Sequence, residues 1–424
     1  MIKTEHRLAT RATRRGAVAA IAAATLIGAA ACGSDSGSDG GGSAPTTAST
    51  AIPSALASYF PGKAASGDPV KIGLLNTEGG PALSDPDIGD AAVAAAEYAN
   101  AHLGGIGGHP IEIDRCGILE DVASSVKCAN QMVEDKVAAV VVTTTGFGES
   151  IVPIITKAGI PYVSVAGASS GEFTSKNAYM WTGGFAATLS AMATYSAEQG
   201  YKKVAAFVTD VPAATGGAAK IGVPAFKAAG IEFTVVPVTP GTADATPQVT
   251  SGLAGKPDAA ILIFNSTGCT TALKALSVVD PTIPKLGITG CLDPATVDAV
   301  GGALEGAKVF GVSSIATDDP EAQLYRTVMA KYAPDASISG YTPVGYQGML
   351  GLIRATAKLT GSVTSSSILA AIAQAKDVPL PAGAGVTFTC DGKQLPGLTT
   401  VCSAGEIVLT VKDGVGTQPE TIDN

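Results

Sequence analysis

The chain has 424 residues, 46% of them apolar and 15% charged, with a net charge of −9. That is too apolar and too sparsely charged for a disordered protein, and the length asks for two or three domains. Residues 1–31 carry Lys3, Arg7, Arg11, Arg14 and Arg15 against the single acid Glu5, so the remainder stands at −13, a surface that repels phosphate backbones and argues against nucleic acid as a partner.

In chain order, residues 1–31 read as a signal peptide: a basic head, an uncharged run over 16–31, and small residues before Cys32. Small residues ending at a cysteine resemble a bacterial lipobox, which makes Cys32 the expected lipidation site, although Ala29 stands where leucine is usual. Thr13-Arg14-Arg15-Gly16-Ala17-Val18 also resembles a twin-arginine signal, so the export route stays open. Residues 32–68, rich in Gly, Ser, Thr and Ala, read as a flexible tether. The later apolar runs are too short for a membrane-spanning helix.

From residue 70 short Val/Ile runs alternate with helical stretches. Strands are predicted over 70–75, 111–116, 138–142 and 162–165, with helices over 90–103, 121–134 and 149–158. The rhythm restarts near Ala187, with strands over 203–209, 232–238, 259–264, 285–289 and 308–312 and helices over 218–229, 271–278 and 294–300. A longer helix over 341–360 puts Tyr346, Met349, Leu350, Ile353 and Ala357 on one face. Residues 386–390 and 406–411 read as a short antiparallel finish. Two such series predict an α/β protein of two doubly wound parallel-sheet lobes.

Six cysteines lie in this body, and six allow fifteen pairings. Loop-closure entropy favours the short ones, Cys116–Cys128, Cys269–Cys291 and Cys390–Cys402, and an exported chain makes disulfides the expected state. With no CxxC pair and only His102 and His109 beyond the signal, neither a metal nor another cofactor is expected. In open α/β sheets ligands bind beyond the carboxyl ends of the strands. The loops there are 76–89, 143–148, 166–171, 209–217, 265–268 and 289–293. Most are rich in Gly, Ser, Thr and Asn, whose N–H groups and hydroxyls suit a carboxylate or another small anion. Two lobes presenting such loops to one another form a cleft that shuts by hinge motion.

The chain resembles the extracytoplasmic solute-binding proteins of ABC transporters, in the branched-chain amino acid (Leu/Ile/Val-binding) group with the type I periplasmic-binding fold. The resemblance spans roughly 70–421. It rests on Val70-Lys71-Ile72-Gly73-Leu74-Leu75 followed by Gly79-Gly80-Pro81, and on Gly105-Ile106-Gly107-Gly108 before the second strand. Ala158-Gly159-Ile160-Pro161-Tyr162-Val163-Ser164 and Ala229-Gly230-Ile231 extend it. It implies three crossings between the lobes, near Ala186, Ser313 and Val386. The first lobe then holds 69–186 and 313–385, and the second 187–312 and 386–424. It also implies a monomer, anchored through Cys32 to the outer face of the bacterial cytoplasmic membrane, that hands a small solute to ABC permease subunits.

By position the resemblance puts a ligand carboxylate on the Thr145 and Ser169 hydroxyls, with Gly146, Phe147 and Gly167 beside them and carbonyls near Ala166 facing an ammonium group. The family's acidic partner for that ammonium is missing, since Thr289-Gly290-Cys291 stands in its place. Asp293 and Asp210 are the acids placed to substitute. The family's aromatic in the preceding loop is missing too, and Asn265-Ser266-Thr267 stands there, making Ser266 and Thr267 candidate contacts. An α-amino acid and an organic or aromatic acid without an amino group both stay open as ligands.

Three motifs compete with this reading. Gly167-Ala168-Ser169-Ser170-Gly171 satisfies the GxSxG nucleophile pattern of serine hydrolases, but that class needs its histidine after the serine, and both remaining histidines precede it. Gly252 to Pro257 faintly resembles a phosphate loop and is read as a turn. Trp181, Tyr179, Tyr341 and Tyr346 are read as packing at a lobe junction, and a ligand-sensing receptor component of the same fold is the runner-up function.

Overall fold

The computed structural model describes residues 52–80 and 84–422. The signal segment, Cys32 and the tether up to residue 51 lie outside the described residues, as does Pro81. The first sheet is built from β1 (Val70–Thr77), β2 (Ile111–Ile118), β3 (Ala139–Val142), β4 (Tyr162–Ser164) and β5 (Ala178–Met180). Helices α1 (Pro86–His102), α2 (Val122–Glu134), α3 (Gly148–Lys157) and α4 (Ser170–Thr174) connect them. All five strands are parallel in the order β2-β1-β3-β4-β5. β3 is buried along its whole length, as its unbroken Ala-Val-Val-Val requires.

The chain then runs through α5 (Gly184–Glu198), β6 (Lys203–Thr209), α6 (Pro212–Gly217), α7 (Val223–Ala228), β7 (Glu232–Val238), α8 (Thr246–Leu253), β8 (Ala259–Ile263), α9 (Ser266–Val279), β9 (Lys285–Ile288), α10 (Pro294–Val300) and β10 (Lys308–Gly311). It returns through α11 (Pro320–Tyr332), α12 (Thr342–Ala355), α13 (Ser365–Ala373), β11 (Val378–Pro379), β12 (Thr387–Phe388), β13 (Glu406–Lys412) and β14 (Val415–Ile422). The second sheet has the order β14-β13-β10-β9-β8-β6-β7, parallel except where β13 and β14 add antiparallel at one edge. Among the described residues no helix is long and apolar enough to cross a membrane.

Five sequence expectations need correction. The tether does not run to residue 68: a 3-10 helix spans Ser54–Tyr59, Leu56 is fully buried in the first-lobe core, and Lys63 N and Ala65 N donate to His102 O and Asn100 O. Averaged composition hid three apolar anchors, Leu56, Tyr59 and Phe60. The single helix expected over 218–229 is a longer helical run, with a π turn over Ala218–Gly222 between α6 and α7. Helices α4, α5, α6, α8, α11 and α13 and strands β5, β11 and β14 were not foreseen. Side chains of Asp319 and Thr364 cap α11 and α13.

The fourth concerns the tail. Residues 387–402 dock on the first sheet, not the second: Cys402 N donates to Met180 O, Met180 N to Thr400 O, and Phe388 stacks on Trp181 at 4.7 Å. The chain therefore passes between the sheets at 181–183, between β10 and Ser314, and at 403–405.

Helix α12 was expected to bury one face, yet it is buried from Thr342 to Ile353. Its glycines make that possible. A Cβ on Gly345 would lie 1.7 Å from Ile88 O of α1, and one on Gly351 would lie 2.6 Å from Trp181 Nε1. The three disulfides join the short-loop pairs, with Cα–Cα distances of 5.6 Å for Cys116–Cys128, 5.3 Å for Cys269–Cys291 and 4.3 Å for Cys390–Cys402.

Candidate functional site

A cavity of about 570 Å³ opens where the loop after β4 faces the second lobe. Gly167, Ala168, Ser169 and Ser170 line one wall with Phe173 and Thr174 of α4. Phe185 and Ala186 at the start of α5, Lys220 and Ile221 of the π turn, and Ile263 and Ile288 at the ends of β8 and β9 line the other. Leu398, from the loop closed by Cys390–Cys402, completes it. The volume is within the range of small-molecule sites, and the lining is apolar with a polar edge, as such sites are.

The loop after β4 is held by a carboxylate of the chain itself. Glu172, 2% exposed, accepts from Ala168 N (3.0 Å), Ser169 N (3.0 Å), Ser169 Oγ (2.9 Å) and Tyr162 Oη (2.6 Å). Ser169 returns the bond by accepting from Glu172 N, a reciprocal cap on α4. Glu149 Oε2 accepts from Gly171 N at 2.7 Å. Burial, with the Glu172 charge beside it, pushes the Tyr162 hydroxyl far above the usual phenol range. The spacing Ser169-x-x-Glu172 is a capping signal visible in the sequence, overlapping the GxSxG pattern.

The loop after β3 is closed in the same way. Glu120 Oε2 accepts from Gly146 N (3.1 Å) and Glu120 Oε1 from Thr77 Oγ1 (2.8 Å), while Thr145 Oγ1 accepts from Phe147 N (3.0 Å). Of the expected site residues, Gly167 and Ser169 reach the cavity, whereas Thr145, Gly146, Phe147 and Ala166 do not line it.

On the second lobe the expected contacts scatter. Asp210 is exposed at the end of β6. Ser266 Oγ accepts from Thr296 Oγ1, and Asp293 caps α10 by accepting from Ala295 N. Thr267 lines a separate hollow of about 180 Å³ with Thr209, Thr242 and Asn265. Asp293 belongs instead to an acidic group at the β1–β9 side of the cleft. There Asp85 has its carboxyl raised above the usual range, by burial first and then by Asp87, Asp293 and Glu120. Tyr341 meets the backbone of Gly290 nearby.

Neither described histidine faces Ser169. His102 Nε2 lies 3.0 Å from Tyr332 Oη, and His109 Nδ1 lies 2.9 Å from Asp68 O. The nucleophile pattern at Ser169 is thus a helix cap. Lys256 sits in the turn after α8 with φ 51°, where the phosphate-loop likeness was noted. Trp181 is fully buried at the first crossing and donates from Nε1 to Gly348 O.

A family profile described as periplasmic binding protein matches residues 69–399. The leucine-binding protein LivK of Thermotoga maritima superposes with a TM-score of 0.68 at 18% identity, covering 84% of this chain and 99% of that one. The branched-chain amino acid transporter substrate-binding protein LivJ of Streptococcus pneumoniae, solved with isoleucine, gives 0.69 at 19% identity, with 84% and 100% covered. An ABC transporter substrate-binding protein from Sphaerobacter thermophilus gives 0.69 at 19%, with 83% and 98% covered. These identities show a shared fold. No curated protein matches the sequence.

Proposed function

The chain belongs to the periplasmic binding protein family, and from that premise we propose that it is the extracytoplasmic substrate-binding component of an ABC transporter. It captures a small amino acid or an organic or aromatic acid and hands it to the permease, anchored to the membrane through Cys32. The observation that carries this reading is the cavity walled by both sheets' carboxyl ends, with three chain crossings behind it. Ligand binding acts by favouring the closed arrangement over the open one, which needs contacts from both walls. The reading requires no covalent step.

The single tryptophan of the chain, Trp181, stands on the first crossing. Lobe closure flexes the chain next to its buried ring, and the expected readout is a change in its emission. The test is a thermal-shift and fluorescence screen of amino acids, carboxylic acids and sugars. A true ligand at about a hundred times its Kd raises stability by about 2.7 kcal/mol and shifts the Trp181 emission. A chain that binds none of them, or that releases a chemically altered solute, overturns the proposal.

A further inference from the structure

Among the described residues Lys220 is the one charged residue lining the cavity, and no carboxylate lines it. Lys220 is exposed, and its ammonium has no hydrogen-bond or ion-pair partner among the described residues. It sits in the π turn Ala218–Gly222, an irregularity often found at functional sites. Next to it Gly217 is kept bare by Phe185, whose ring carbon lies 2.4 Å from where a Cβ would stand.

We infer that the cavity takes an apolar monocarboxylate lacking an amino group, and that Lys220 is the residue that recognises its carboxylate. This rests on the carrier reading above and narrows its ligand. Three observations lead there. First, the backbone donors Gly146 N, Ala168 N, Ser169 N and Gly171 N already serve Glu120, Glu172 and Glu149, so these loops offer an incoming carboxylate little. Second, Phe173, Phe185, Ile221, Ile263, Ile288 and Leu398 give the body of the ligand an apolar bed. Third, an ammonium group set against that bed finds no counter-charge in the cavity, because the acids Asp85 and Asp293 stand outside it.

The test is calorimetric titration of the intact protein and of the exposed-site variants Lys220→Met and Lys220→Arg. The probes are 4-methylpentanoate, 3-phenylpropanoate, 4-methylpentanamide, leucine and phenylalanine. A charge-assisted bond at Lys220 makes an acid bind at least about tenfold more tightly than the matching amide or amino acid. Lys220→Met removes that advantage, and Lys220→Arg keeps most of it. Leucine or phenylalanine binding as tightly as the matching acid overturns the inference, as does unchanged acid affinity in Lys220→Met. In either case a solute that still binds and shifts Trp181 fluorescence leaves the carrier reading standing. Failure of every probe, extended to sugars and polyols, removes both.

Discussion

Glu406 opens β13 at the third crossing and is fully buried. Oε1 accepts from Thr188 Oγ1 at 2.8 Å, and Oε2 has no partner. Burial raises the carboxyl from 4.5 to about 8, with the Thr188 bond pulling weakly the other way and no charged group contributing. Below pH 4.5 the group is neutral in folded and unfolded chains alike. Above it the unfolded chain releases the proton while the folded chain keeps it, so stability falls as pH rises, until the folded group ionises near 8. The slope is about 1.4 kcal/mol per pH unit, or on the order of 5 kcal/mol across the interval. Glu406→Gln removes this dependence. The amide leaves one polar group unpartnered where Oε2 stood, a cost of about 1–3 kcal/mol that does not vary with pH. Urea unfolding of both proteins from pH 4.5 to 8 is the assay. The variant gains on the native chain by about 1.4 kcal/mol per unit through the middle of that range. Parallel pH profiles would refute the reasoning, because every other titrating group is common to the two proteins.

Three further outcomes follow from packing. Gly345→Ala forces α1 and α12 apart at Ile88 O and lowers stability by about 1–3 kcal/mol or more, read as a lower Tm. Replacing Cys390 and Cys402 together by serine frees the loop that carries Leu398. It costs about 3 kcal/mol by the loop-closure relation, and it weakens ligand binding beyond what the lower stability explains. Ser169→Ala removes the cap of α4 and one donor to Glu172, lowering stability by about 1 kcal/mol in denaturant unfolding.

The sequence carried the alternation of strands and helices, because a strand buried on both faces must be an unbroken apolar run: 139–142 and 259–263 are such runs, and both form parallel strands. It also carried the disulfide pairs, since short loops close most easily. Helices α11 and α13 escaped it although the Asp319 and Thr364 caps that start them are signals the sequence displays. The tail of the first lobe escaped because nothing local in residues 387–402 says which sheet they will join.

Sequence alone determined most of the strands, though not β5, β11 or the edge strand β14; it also determined which loops lie at their carboxyl ends, and that Ser169 stands in one of them. Tertiary structure alone decided what those loops have left to offer. Glu120 and Glu172 occupy donors of the β3 and β4 loops, while Lys220, on a separate helical stretch, comes to line one cavity with Ile263 and Ile288. The reason is physical: a hydrogen-bonding group can be counted from sequence, but whether it is already satisfied depends on partners that only the packed chain brings near.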